Sequence, residues 1–154
     1  MEFKSRRNHF LASIISLLFF FSCSESGSEA PIVVLDAYLK QPLKGALSNA
    51  AYMTLRNSSD YKIKIKGLTC NKLLAEFHQT IIKDSGMMRM NKLNLLTMEP
   101  KSEITLEPGK EHIMLMGKSL SNKIEGINCD LIIEDIDSFP PFKRVPVFFE
   151  IRNK

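Results

Sequence analysis

Between residues 61 and 68 the chain reads YKIKIKGL, with Tyr61, Ile63 and Ile65 on one side of the alternation and Lys62, Lys64 and Lys66 on the other. Only an extended backbone, whose side chains alternate with period two, can bury one set while wetting the other. Runs of the same kind recur: IVVLDAYL (32 to 39), AAYMTLRN (50 to 57), KLLAEFH (72 to 78), MMRMNKL (87 to 93), SEITLE (102 to 107), EHIMLM (111 to 116), CDLIIEDI (129 to 136) and VPVFFEIR (145 to 152). Between them stand turn formers such as NSSD at 57 to 60, Gly86, Pro108-Gly109 and Pro140-Pro141, and no stretch keeps a helical period for three turns. The reading is all-β: about nine strands in about 120 residues, the spacing of a two-sheet β-sandwich. Its core is not built on the immunoglobulin Cys, Trp, Cys pattern, because the chain has no tryptophan.

The first thirty residues do not share this pattern. Lys4, Arg6 and Arg7 precede FLASIISLLFFF (10 to 21), an apolar run too short to cross a bilayer comfortably, and the expectation is an export signal. The run ends in FFSC, which resembles a bacterial lipobox with Cys23 as the lipidated residue, although Phe20 stands where leucine is usual. Residues 1–22 are therefore expected to be a lipoprotein signal peptide, 23–30 a polar tether, and 31–154 the folded domain. The protein would then sit in the bacterial cell envelope, facing the periplasm and held to the membrane by lipid. Cleavage near Ala30, which Pro31 would hinder, and an uncleaved N-terminal helix are the alternatives. The net charge is +4, falling to +2 without the signal, and the basic residues are scattered with no aromatic platform among them. Nucleic acid is not expected as a partner.

Cys70 and Cys129 remain after Cys23, and an even pair in an exported chain points to a disulfide; two buried free thiols are the other reading. Either way, metal chemistry falls to histidine and methionine. Once His9 leaves with the signal, only His78 and His112 remain, and six of the eight methionines lie between residues 87 and 116. Thioethers are soft, uncharged ligands that suit Cu(I), and unlike thiols they form no disulfides outside the cytoplasm. A histidine and methionine set therefore selects copper. On a strand, His112, Met114 and Met116 project from one face, and Met88 shares a face with Met90. His78 is expected to end its strand, with QTIIKDSG as the return loop, and the ligands to meet at a sheet edge or sandwich rim. Met53, Met87, Met98 and Met116 are read as core or as packing beneath the site, since methionine is a common gap-filler. No Ser/His/Asp set, carboxylate pair or Gly-rich phosphate loop argues for an enzyme.

With these residues in place, the order His78, Met90, a 21-residue spacer and then His112-x-Met114 resembles the PCuAC-type periplasmic copper chaperones, cupredoxin-like β-sandwiches with an H…M…HxM motif. DAYLK, AAYMTLRN, GMMRM, LEPGKEHIMLMG and VPVFFEI follow in the order such proteins have them. The resemblance implies one Cu(I) held by His78, Met90, His112 and Met114. It also implies delivery to a copper-accepting protein, such as a terminal cytochrome oxidase subunit, by what is expected to be a monomer. Three departures stand out. Eleven residues separate His78 from Met90 where ten are expected, which makes Met88 a possible substitute; Tyr38 replaces the usual tryptophan; and the His- and Met-rich tail of some members is missing from IRNK. Two other functions fit the same sequence: an envelope copper buffer or tolerance protein using the same site, and a lipoprotein whose methionines simply pack.

Overall fold

The computed structural model describes residues 31–121, 125–134 and 141–152; the expected signal peptide, the tether and Cys23 lie outside the described residues. Ten strands follow in chain order: β1 (Ile32–Lys40), β2 (Ser48–Asn57), β3 (Ile63–Cys70), β4 (Leu74–Ile82), β5 (Met88–Leu93), β6 (Leu96–Met98), β7 (Glu103–Leu106), β8 (Glu111–Met116), β9 (Gly126–Glu134) and β10 (Phe142–Arg152). They hydrogen-bond in the order β5-β4-β8-β2-β1-β10-β9-β3-β6, with β7 also on β2. Every pairing is antiparallel except that of β1 with β10.

This ladder cannot lie flat. β3 and β4 stand six strands apart in it, about 29 Å on a flat sheet, yet only Asn71, Lys72 and Leu73 join them, a link reaching about 14 Å at full stretch. The two ends of the ladder must therefore face each other, which makes the sandwich. Between the halves lies one continuous core that includes Ile63, Ile65, Ile113, Leu115, Leu131, Ile133 and Phe149. Burying an aliphatic or phenyl side chain contributes roughly 1.5–3 kcal/mol. Outward-facing Lys62, Lys64 and Lys66 pair with Glu99 and Glu134, and exposed pairs of this kind contribute about 1 kcal/mol at most. The alternation thus acts mainly through its apolar half.

Several boundaries differ from expectation. β6 was too short, at three residues, to be told from loop by pattern; its Leu96 and Met98 are nevertheless buried against β3. His78 does not end its strand, because β4 continues to Ile82 and the return is the short turn Lys83–Met87. β9 and β10 each start three residues earlier than read. Met53 and Met98 are core residues as expected, whereas Met87 is exposed in the turn and packs in no core.

Two local features hold the crossing strands in place. Cys70 and Cys129 are directly opposed on β3 and β9 and their sulfurs are bonded. Asn57, at the end of β2, is fully buried and uses its whole hydrogen-bonding capacity. Its amide donates to the carbonyls of Tyr61 (2.8 Å) and Glu99 (2.9 Å), and its carbonyl oxygen accepts from the Ser59 amide (2.9 Å) and hydroxyl (2.6 Å).

Two stability effects follow, both measured by urea unfolding. The disulfide closes a 59-residue separation, so Cys70→Ala/Cys129→Ala should lose roughly 4 kcal/mol on the loop-entropy model. Asn57→Ala removes four hydrogen bonds made from a fully buried side chain and should cost about 3 kcal/mol.

Candidate metal centre

β4 lies between β5 and β8, and its register decides which side chains meet. His78 is directly opposite His112 on β8, Glu76 is opposite Met114, and Leu74 is opposite Met116. On the other side His78 is opposite Lys92, Thr80 opposite Met90, and Ile82 opposite Met88. Residues directly opposed share a face, as do residues two apart. His78, His112, Met114, Met116, Met88 and Met90 therefore all project from one face. It is the outer one, since Phe77, Ile113 and Leu115 between them point into the core.

His78 is the centre of this group. His112 faces it across one rung with ring centroids 6.0 Å apart and planes at 38°. Met90 and Met114 are its diagonal neighbours on the two flanking strands, a relation that puts Cβ atoms about 7–8 Å apart. The other three residues named from sequence are thus each next to His78, with Met90 on the edge strand and His112 buried on β8. A short turn joins β4 to β5, closed by the Lys83 amide to the Met87 carbonyl (2.9 Å) and the Gly86 amide to the Lys83 carbonyl (2.8 Å). Gly86 sits there at φ 79°, which glycine adopts without strain. Across this turn Met88 and Met90 come to the histidine face, and Arg89 takes the other.

The imidazoles carry the most informative detail. His112 Nδ1 lies 3.0 Å from the Lys110 carbonyl oxygen, so it must be the protonated nitrogen that donates. His112 Nε2 then holds a bare lone pair, and it is buried without a partner. His78 mirrors this: its Nε2 lies 3.2 Å from the Glu76 carboxylate, and its Nδ1 is buried without a partner. Lys92 donates to the other Glu76 oxygen at 2.5 Å. That hydrogen bond first, and the one from His78 second, hold the Glu76 carboxyl below the usual carboxylate range. Glu76 is therefore an anion that can only accept, which fixes the His78 tautomer. A ligand imidazole is ordinarily prepared in this way, one nitrogen tied to oxygen and the other left free.

Buried polar groups are normally satisfied. Asn57 and His112 are the buried polar side chains among the described residues, and they contrast: Asn57 has every partner, His112 lacks one. Two facing imidazoles with unpartnered lone pairs, beside thioethers on the same face, fit a soft monovalent cation. No group of three histidine, cysteine or carboxylate side chains poised for a metal occurs among the described residues. The spacing of the motif gave the histidines and methionines. Glu76 and Lys92 were missed, because nothing in the sequence indicates them before the register of β4 is known.

Residues 32–128 match the model of the LpqE-like family, a lipoprotein family by its description. No curated protein sequence matches the chain. Among solved structures, the fold is similar to the copper-bound PCuAC domain from PmoF2, at 20% identity over 81% of this chain and 95% of that one, with a TM-score of 0.63. The apo PCuAC domain from PmoF1 is similar at 19% identity, over 81% and 96% of the two chains, with a TM-score of 0.63. Apo-DR1885 from Deinococcus radiodurans, a solution structure, shares 26% identity over 86% and 87%, with a TM-score of 0.53.

Nitrogen-15 NMR of the metal-free protein at neutral pH should find His112 as the Nδ1–H tautomer and His78 as the Nε2–H tautomer. The opposite tautomer at either ring would remove the lone pair from the shared face.

Proposed function

The chain belongs to the LpqE-like family and has the PCuAC-type all-β fold, and from that premise we propose that it is an envelope copper chaperone. It binds one Cu(I) and releases it to an acceptor such as the copper-bearing subunit of a terminal cytochrome oxidase. His78, Met90, His112 and Met114 are the proposed ligands. The single observation that supports them best is the pair of buried, unpartnered ring nitrogens, His78 Nδ1 and His112 Nε2, on the face that also carries Met90 and Met114.

Imidazole with thioether favours Cu(I) over zinc or hard divalent ions. All four ligands bind through uncharged donor atoms, and loading needs no change of oxidation state. Transfer is then ligand exchange: an acceptor ligand forms its bond to copper as a methionine or histidine bond breaks. The protein's share of the work is positional. Glu76 and the Lys110 carbonyl hold the two rings with their lone pairs free, and the strand register holds the thioethers beside them. The family's description supports an envelope lipoprotein. Lipid on Cys23, after removal of residues 1–22, is the proposed anchor for a domain spanning 31–154 behind the 23–30 tether.

Anaerobic Cu(I) titration against a competing chelator should show one tight equivalent. Loss of an outer partner to a ligand typically weakens a metal site 10–100-fold, so His112→Ala and Met114→Ala should each lose at least that much. Wild-type affinity in both variants would sink the site. Copper transfer to an apo oxidase subunit separates delivery from storage.

A further inference from the structure

Met88 lies on the ligand face, yet the four-ligand site does not need it. It is 74% exposed and Met90 is 55% exposed, against 4% for His112. Edge strand β5 carries both methionines, and its other side pairs with no strand among the described residues. Along that strand Met88 and Met90 are about 7 Å apart, and Met90 is the diagonal neighbour of His78. The soft donors thus form a line, Met88, Met90, then His78 and His112, and burial increases along it. At its outer end Ile82, opposite Met88, is exposed. Arg89 points to the other face, and the Lys92 ammonium is bound to Glu76.

This arrangement addresses a difficulty that buried ring nitrogens create. A ligand from an acceptor protein cannot readily approach His112 Nε2, whereas it can reach an edge-strand thioether. Resting on the copper reading above, we propose that Met88 and Met90 form an outer two-thioether site through which Cu(I) passes to and from the histidine pair, with Met90 shared between the outer and inner positions. Inward movement forms a Cu–N bond to His78 as the Cu–S bond to Met88 breaks. Copper remains Cu(I), and no proton or electron moves. Two neutral thioethers alone bind weakly, which suits a transit position, and methionine's flexible side chain suits a ligand that must swing.

Met88→Leu tests this at an exposed position where folding is not at stake. Equilibrium Cu(I) affinity should stay within about twofold of wild type, while stopped-flow loading, and unloading to a chromogenic chelator, should each slow about tenfold. Unchanged rates would overturn the proposal. So would a tenfold loss of affinity, which would make Met88 an inner ligand in place of Met90. A His78→Ala/His112→Ala protein isolates the outer pair: Ag(I), the redox-silent analogue, should shift the Met88 and Met90 methyl resonances, and no shift at either would also overturn it. If wild-type protein binds no Cu(I), the function proposed above fails; if it binds but Met88→Leu behaves as wild type, only this inference does.

Discussion

The site depends on the register of β4. A strand that slips by one residue exchanges its two faces, which here would turn His78 into the core and Phe77 out to solvent. Three constraints prevent it. The three-residue link from β3 fixes where β4 begins, and the Cys70–Cys129 bond fixes the strand end from which that link departs. Phe77, opposite Ile113 and almost fully buried, ties the inward face of β4 to the core. The Lys83–Met87 turn then sets β5 against β4, and with it the face on which Met88 and Met90 appear.

Holding the face in this form has an energetic cost. A buried nitrogen without a partner costs roughly 1–3 kcal/mol, and there are two of them, on His78 and His112. The same fold satisfies Asn57 completely with local carbonyls, an amide and a hydroxyl, so its strands do supply buried partners elsewhere. The burden on the histidine face is carried by the sandwich behind it, where any two of the fully buried aliphatic residues offset it. Local frustration of this kind commonly marks functional positions.

Much of this was legible in the chain. YKIKIKGL announces a half-buried strand by alternation alone, and EHIMLM was read with its ends in place. Spacing and resemblance grouped the histidines with the methionines, and the register of β4 brings them to one face. Less was legible wherever pairing partners decide the outcome. β6 is three residues long, and its burial comes from β3 rather than from any pattern of its own. QTII after His78 looks like the start of a loop until β5 and the residues before β8 pair with it. Met87, Met88 and Met90 are one residue type within four positions and all exposed, yet only the last two stand on β5 and face the histidine side. Glu76 and Lys92, which set the His78 tautomer, lie 16 residues apart and are brought together only by the hairpin.

Strand directions carry one more consequence. β1 starts where β2 finishes, β2 runs antiparallel to β8, and β8 runs antiparallel to β4, so β4 finishes at the end where β1 starts. Ile32 and the Lys83–Met87 turn therefore share one end of the sandwich. Anything that docks on the methionine hairpin therefore also meets the entry of the chain into β1.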